Sequence, residues 1–167
     1  EEGLMESTMI VFFGDHGYHL GEHEWWNKVT VYEKGHNAPL IIVNGKPNNP
    51  GMESTAMVEF IDFYPTLADV FQLKDVPGHL EGESFRSVLE NPLIPFRDVV
   101  YGIITRGSIM GRSVKTREWR YTEWDGGEKG VELYDQQNDP LEYNNLSGNN
   151  KYQGVMDMMK ALLQQYN

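Results

Sequence analysis

Two apolar runs near the start of the chain predict β-strands. Residues 9–13 are apolar throughout and rich in β-branched and aromatic side chains, and residues 38–43 form a second such run with Pro39 near its start. Continuous apolar runs of this length are typical of strands that are covered on both faces of an α/β sheet. A proline is tolerated where a strand begins, because no ladder hydrogen bond is lost there. The pattern therefore predicts two buried strands.

The next apolar positions repeat with a helical period. They predict a helix from about Phe63 to Phe71, with Asp62 in the position of an N-cap. Pro65 suits the first turn, because its missing N–H would have no partner there in any case. We predict that residues 1–97 form the edge of a mixed sheet in an α/β domain.

After residue 97 the pattern changes to short strand-like runs and a final amphipathic segment. The runs are residues 99–104, 112–115, 119–124 and 131–134. Their length and spacing are typical of an antiparallel meander. From Val155 to Tyr166, apolar residues recur at intervals of three and four, which predicts a helix with one apolar face. Residues 98–167 are therefore predicted to form a small antiparallel sheet subdomain with a C-terminal helix.

Composition and charge narrow the classes of partner. The chain has 167 residues, 40% of them hydrophobic, which is enough for a globular core. It carries 25 acidic and 14 basic residues, so its net charge of −11 argues against nucleic acid and anionic membranes as partners. The same field would repel an anionic substrate, so any anion site must be made locally, by a metal, by Lys28 or by residues outside this chain. The chain has no cysteine, which excludes disulfides and thiolate metal sites.

The segment directly after the first predicted strand carries a carboxylate and an imidazole side by side. Asp15 and His16 lie between Gly14 and Gly17. At a strand end that turns through a glycine, both side chains can converge on one cation. Carboxylate oxygen with neutral imidazole suits Ca²⁺, Mg²⁺ or a harder transition metal. Taken alone, such a short motif is also compatible with a plain turn, and both alternatives stay open.

Other polar residues of the loop between the two strands each allow two interpretations. His19 and His23 have the spacing of a helical zinc site, but Gly21 between them weakens such a helix, which favours hydrogen-bonded loop residues. Lys28 follows two tryptophans, and it either meets an anion or remains solvated with its stem packed on an indole. His36 either donates a hydrogen bond to a substrate oxygen or satisfies a buried backbone carbonyl.

Several motifs in order resemble consecutive landmarks of a sulfatase in the alkaline phosphatase superfamily. They are Gly14-Asp15-His16-Gly17, Leu20-Gly21-Glu22-His23, Lys28, Ala38-Pro39-Leu40-Ile41, Ile61 to Leu67, Leu133-Tyr134-Asp135, Asn138-Asp139-Pro140, Glu142 and Asn145-Leu146. The segment from Gly111 to Thr116, continued by Arg120-Tyr121-Thr122, is most similar to the iduronate-2-sulfatase-like branch. The resemblance covers nearly the whole chain and corresponds to the C-terminal half of the family's fold.

This resemblance implies a set of roles. Asp15 and His16 would be ligands of a divalent cation, usually Ca²⁺ with Mg²⁺ as the alternative, and Lys28 would be the catalytic residue that holds the sulfate group, with His36 as a second candidate for substrate binding. The family's paired N-terminal Asp ligands and its formylglycine signature are absent from this sequence. We therefore expect a fragment of a sulfuric ester hydrolase that acts on a sulfated sugar, without turnover of its own. By the same resemblance, the parent protein would be periplasmic, extracellular or lysosome-like.

Two other functions remain open at this level. A phosphonate or phosphate ester hydrolase of the same superfamily would use the same strand end and cation, and a non-catalytic interaction module would use neither. As a fragment, the chain is expected to expose apolar side chains on residues 9–13 and 38–43. Its expected partners are accordingly the N-terminal half of the same protein or a second copy that associates through these strands.

Overall fold

A computed structural model describes residues 3–45 and 50–166 of the chain. Its strands are β1 (Met9–Phe13), β2 (Leu40–Asn44), β3 (Val100–Arg106), β4 (Ile109–Lys115), β5 (Trp119–Trp124) and β6 (Val131–Asp135). Its α-helices are α1 (Glu33–His36), α2 (Phe63–Val70), α3 (Arg86–Glu90) and α4 (Gln153–Gln165). The predicted α/β class, with a small antiparallel sheet and a C-terminal helix, is confirmed.

The chain divides into two compact units that are not continuous in sequence. The first contains the chain up to Phe12 together with Ile41–Val100, and the second contains Phe13–Leu40 together with the chain from Tyr101 onward. The loop between β1 and β2 thus belongs to the same unit as the four later strands. The boundary that the sequence suggests between residues 97 and 98 stays a prediction.

Strands β1 and β2 form a two-stranded sheet. Hydrogen bonds from Gly14 N to the Pro39 carbonyl (3.0 Å) and from Gly45 N to the Thr8 carbonyl join opposite ends of the two strands, as in an antiparallel pair. One face of the pair lines a small apolar cavity, whose walls are Met9, Val11, Ile42, Phe63, Thr66, Leu67, Phe85 and Leu89. This face is the one that meets α2 and α3.

The opposite face of this sheet is open. Phe12 is 62% exposed and Ile41 is 57% exposed, and Ile10 on the same face is also exposed. The prediction that β1 is a fully buried strand is therefore wrong for this chain, because only one face has a covering layer. The prediction of exposed apolar surface on these two strands is confirmed.

Helix α2 begins at Phe63 and Asp62 lies in the N-cap position, as the sequence predicts, but the Asp62 side chain makes no capping hydrogen bond to α2. Asp62 has helical backbone angles (φ −80°, ψ −15°) as the last residue of a 3₁₀ turn, and its side chain does not cap α2. An N-cap needs extended backbone. Glu59 has that conformation and forms a capping box with Asp62. The Asp62 carboxylate also accepts from Glu83 N (2.9 Å) and pairs with Arg97 (2.6 Å), so its buried charge is fully compensated.

Strands β3 to β6 form an antiparallel sheet in sequence order, so the predicted meander is confirmed. Val114 pairs with Tyr121, and Tyr121 pairs with Leu133, which places three buried side chains in one row across the sheet. Helix α4 packs on β4 and β5 and buries Met159 and Leu163 completely or nearly so. The helix covers this sheet because its apolar residues recur on one side.

Across residues 3–45 and 50–166, no helix has the length and apolar character needed to span a bilayer.

Candidate functional site

The turn after β1 brings Asp15 and His16 together. The Asp15 carboxylate is 81% exposed, and its Oδ1 lies 3.4 Å from Nε2 of His16. The other ring nitrogen of His16, Nδ1, lies 2.6 Å from the Gly17 carbonyl, which can only accept, so Nδ1 carries the proton. In a neutral ring, Nε2 then presents a lone pair to a carboxylate oxygen. Two acceptors that face each other in this way are stabilised by a cation or a proton between them.

The Asp15 oxygen and the His16 nitrogen suit a hard divalent cation, but they are too few to complete its coordination. Oxygen and imidazole donors are ligands of such ions, and Ca²⁺ takes about six to eight ligands. Among the residues that the structure describes, no group of three His, Asp or Glu side chains is placed to hold a metal. Asp15 and His16 therefore fit a cation as two of its ligands, with further ligands from water or from outside the described residues.

Gly17 fixes this turn against α1. Its N–H donates to the Gly35 carbonyl at 2.9 Å. A Cβ on Gly17 would lie 2.0 Å from the Lys34 carbonyl oxygen, so no other residue fits. The metal-binding pair predicted from sequence is thus attached directly to the short helix that precedes β2.

Lys28 lies on a loop whose two arms are hydrogen-bonded to each other. His19 N donates to the Asn27 carbonyl (3.0 Å), and Gly21 N donates to the Trp25 carbonyl (3.1 Å). The backbone of Lys28 is held on both sides, since its N–H donates to Asn27 Oδ1 (2.8 Å) and its carbonyl accepts from Thr30 N (2.8 Å). Its ammonium group is exposed and has no ion pair or hydrogen bond within the described part of the chain. A fixed backbone with an uncommitted charge is suited to binding an anion.

His36 lies in a different environment. A Cβ on Gly102 would lie 2.8 Å from its Nε2, so the ring packs directly against the backbone of β3. Its Nδ1 is buried without a hydrogen-bond partner in the described residues. Burial, helped by the positive charge of Arg120, lowers the pKa of His36 to about 4, against the opposing effect of the Val31 carbonyl. The ring is therefore neutral at pH 7. Both roles that the sequence allows for His36, a substrate donor or a partner of a buried backbone carbonyl, stay predictions.

A buried ionic network lies beneath α1, and sequence reasoning missed it. Glu33 accepts from Lys115 Nζ with both oxygens (2.6 Å each) and from Arg120. Arg120 also donates through Nε to Glu142 (2.6 Å), which accepts from Glu33 N (2.7 Å) and from Gln136. Burial alone would raise the pKa of Glu33, but Arg120 and Lys115 together hold it below its usual value. The network anchors the start of α1 to β4 and β5.

The histidines with zinc-like spacing both make hydrogen bonds within the loop or to a later segment. His19 lies between Glu22 and Thr30, with Nδ1 3.3 Å from the Glu22 carbonyl and Nε2 2.7 Å from the Thr30 hydroxyl. His23 Nε2 lies 2.8 Å from the Leu141 carbonyl. The interpretation of both as hydrogen-bonded loop residues is confirmed. Among the described residues they belong to no group of three metal-ligating side chains, so the zinc alternative finds no support there.

Comparison with known proteins identifies the relatives of this chain. A family model described as N-sulphoglucosamine sulphohydrolase, C-terminal, matches residues 21–167. An N-acetylglucosamine-6-O-sulfatase of Bacteroides thetaiotaomicron is 30% identical over 98% of this chain and 30% of its own length. Human iduronate 2-sulfatase is 27% identical over 92% of this chain and 41% of its own length. The chain therefore spans about a third of the length of these relatives.

Solved structures with the same fold include sulfatases and a phosphonate monoester hydrolase. One, determined in complex with its substrate D-glucosamine-2-N,6-O-disulfate, has a TM-score of 0.88 at 29% identity, over 96% of this chain and 34% of its own. A phosphonate monoester hydrolase of Agrobacterium radiobacter has a TM-score of 0.83 at 24% identity, over 96% of this chain and 35% of its own. At that lower identity the likeness is one of fold.

Proposed function

The chain belongs to the N-sulphoglucosamine sulphohydrolase C-terminal family, and on that premise we propose that its parent protein hydrolyses sulfuric esters of a sugar. Membership confirms the resemblance to the C-terminal half of a sulfatase, including the iduronate-2-sulfatase-like relatives. The sugar substrate is inferred from the 6-O-sulfatase relative and from the neighbour solved with a glucosamine disulfate.

The observation that carries this proposal is the pairing of two features in one unit. Asp15 Oδ1 and His16 Nε2 face each other as two candidate metal-ligand atoms. Lys28 has an ammonium group without a partner among the described residues, on a loop that is hydrogen-bonded to the same unit. Hydrolysis of a sulfate ester is favoured by positive groups beside the sulfate oxygens, because negative charge develops on these oxygens and on the leaving oxygen. In a chain with a net charge of −11, that positive charge has to be supplied locally.

We assign the roles as follows. Asp15 and His16 hold a divalent cation, Ca²⁺ or Mg²⁺, which when bound polarises the sulfate oxygens. Lys28 neutralises a sulfate oxygen through its ammonium group and orients the ester. His36, neutral and half-buried, keeps α1 packed against β3, and a substrate contact is its second candidate role. By the resemblance to sulfatases, the nucleophile is a formylglycine. The nucleophile and the remaining metal ligands lie in the part of the parent outside this chain.

The test compares the parent protein with this chain. Both are assayed with an aryl sulfate and titrated with Ca²⁺ by calorimetry, and the parent is expected to turn over and to bind while the chain alone does neither. Lys28→Met in the parent is expected to raise the KM strongly, whereas Lys74→Met, which removes another exposed lysine, leaves it unchanged. A parent without sulfatase turnover after formylglycine formation has been verified by mass spectrometry contradicts the proposal.

The phosphonate or phosphate ester alternative has support from the fold alone. A parent that hydrolyses an aryl phosphonate ester faster than the matching aryl sulfate would favour it. The interaction-module alternative would be favoured by a parent that neither binds Ca²⁺ nor hydrolyses either ester.

We also propose that the open face of β1 and β2 is covered by the N-terminal part of the parent. Ile10, Phe12 and Ile41 form an apolar patch that is unusual for a free surface, and the relatives have about two thirds of their length outside the aligned region. Co-expression of the chain with the preceding part of the parent is expected to yield a stable complex. Failure of the two parts to co-purify would contradict this assignment.

A further inference from the structure

His19 is buried at the centre of the loop that carries Lys28, and it joins three parts of that loop. It has no exposed surface. Its N–H donates to the Asn27 carbonyl at 3.0 Å, its Nδ1 lies 3.3 Å from the Glu22 carbonyl, and its Nε2 lies 2.7 Å from the Thr30 hydroxyl. The backbone and side chain of His19 thus contact Glu22 near the turn of the loop and Asn27 and Thr30 on the segment that follows it.

The partners of His19 fix its proton. The Glu22 carbonyl can only accept, so Nδ1 donates to it and Nε2 is left as an acceptor. The Thr30 hydroxyl then donates to Nε2. Burial lowers the pKa of His19, which keeps this single neutral arrangement at pH 7. The direction of the Thr30 side chain is therefore set by His19.

These contacts flank Lys28 on both sides. Asn27, the residue before it, is held by the backbone of His19, and Thr30, two residues after it, is held by the ring. The Lys28 carbonyl accepts from Thr30 N at 2.8 Å. The position from which the Lys28 side chain extends is thus defined by the contacts of His19.

Thr30 also connects this loop to the turn that carries the metal-binding pair. A Cβ on Gly35 would lie 2.4 Å from the Thr30 hydroxyl and 3.2 Å from the Lys28 carbonyl, so Gly35 packs directly on both. The Gly35 carbonyl accepts the N–H of Gly17, which immediately follows His16. A continuous series of close contacts therefore runs from Lys28 through Thr30 and Gly35 to the turn after β1.

We propose that His19, acting through the Thr30 hydroxyl, is a positioning residue that fixes Lys28 relative to Asp15 and His16. The separation between the ammonium group and the cation then determines how a tetrahedral oxyanion is held. The inference rests on the proposed function to the extent that Lys28 binds the sulfate group. It assigns to His19 and Thr30 a role in anion binding, although neither side chain contacts the anion.

The experiment uses the full-length parent with Ca²⁺ and the isosteric variant Thr30→Val, which removes the hydroxyl and keeps the shape. Thr30→Ser, which keeps the hydroxyl, is the matched control, and His19→Asn is a second variant that removes the acceptor from the other side. Inorganic sulfate binding is measured by calorimetry, the KM and kcat are measured with an aryl sulfate, and hydrogen exchange is measured over residues 25–36. Loss of one hydrogen bond at this point is expected to weaken sulfate binding and to raise the KM by about five- to tenfold. Exchange should rise locally, Ca²⁺ affinity should stay within about twofold, and Thr30→Ser should restore all of these values.

Each contrary outcome has a distinct meaning. Unchanged sulfate binding and KM in Thr30→Val, with only a lower melting temperature, would assign the pair to stability and overturn the inference, as would a variant that fails to fold. A wild-type parent that does not bind sulfate also overturns it. A wild-type parent that binds sulfate but has no turnover overturns the proposed function alone, and the inference is then decided by the sulfate affinities.

Discussion

The four-stranded sheet and the two-stranded sheet of this chain differ in how completely they are covered. Val114, Tyr121 and Leu133 are buried in the first, beneath helix α4. In the second, Phe12 and Ile41 remain more than half exposed. The first sheet has its own covering layer within the chain, and the second has a layer on one face only.

This difference bears on where the candidate site obtains its rigidity. Residues 13–40, which carry the predicted ligands and Lys28, belong to the unit that contains the covered sheet. They are attached to it by Glu33, Arg120 and Glu142 in the ionic network and by His36 against Gly102. These contacts hold the candidate site to the covered sheet within this chain, whereas the proposed metal ligands Asp15 and His16 need further ligands.

The largest expected effect comes from breaking the ionic network. Glu142→Leu leaves the buried Arg120 guanidinium without one of its two carboxylates, and we expect a loss of about 3–5 kcal/mol in the free energy of unfolding. Lys160→Met removes the exposed ammonium group that pairs with Glu123 at 3.7 Å and should cost less than about 1 kcal/mol. Urea unfolding of the two variants of the parent measures the contrast. Equal effects would mean that the network does not hold the loop to the sheet.

A smaller effect is expected from filling the space at Gly17. A Cβ there would clash with the Lys34 carbonyl, so Gly17→Ala forces the turn away from α1 at a cost of about 1–3 kcal/mol. Gly154→Ala in α4 meets no atom within 4 Å and should stabilise the protein by up to about 1 kcal/mol. Thermal unfolding and Ca²⁺ titration of both variants of the parent protein provide the measurement. An unchanged Ca²⁺ affinity in Gly17→Ala would contradict the link between this contact and the proposed metal ligands Asp15 and His16.

The pH dependence of stability should also reflect the attachment of α1. Because the pKa of His36 is lowered to about 4 in the folded state, the unfolded state binds more protons between about pH 4 and pH 6.5. The free energy of unfolding therefore has its full value above about pH 6.5 and falls by on the order of 2–3 kcal/mol as the pH is lowered toward 4. His36→Asn should flatten this part of the profile, and the exposed His79→Asn should not. Chemical unfolding at pH 4.5, 5.5 and 7 is the test.

Sequence patterns predict those features of this molecule that depend on neighbouring residues. The bounds of β1 follow from one continuous apolar run, and the meander and α4 follow from regular spacing. The absence of a side-chain cap from Asp62 on α2 could not be predicted, because it depends on the helical backbone conformation of Asp62 as the last residue of the preceding 3₁₀ turn. The network around Arg120 could not be predicted either, because its partner Glu33 is 87 residues away in the chain.

In the candidate site, the motif predicts which residues carry chemistry, and the contacts that hold them come from the fold. Asp15, His16 and Lys28 stand out through residue type and spacing. The role of His19 depends on Thr30 and Glu22, whose side chain and carbonyl become its partners only when the loop folds back on itself. Its burial has no signal in a sequence where it is one of five histidines.

The smallest expected effect on stability comes from the open face of the two-stranded sheet. Phe12→Ser and Ile41→Thr replace side chains that already contact solvent, so in the chain alone each should change the free energy of unfolding by less than about 1 kcal/mol. Their effect on association should be larger, because the apolar patch that they interrupt is the surface expected to pair with another copy or with the rest of the parent. Light scattering of the chain at increasing concentration should show self-association in the wild type and less of it in the double variant. Phe71→Ser, which changes an exposed side chain in the same unit but outside this sheet, is the control. If the control reduces association equally, the open face of β1 and β2 is not the contact surface, and its exposure does not distinguish this sheet from the covered one.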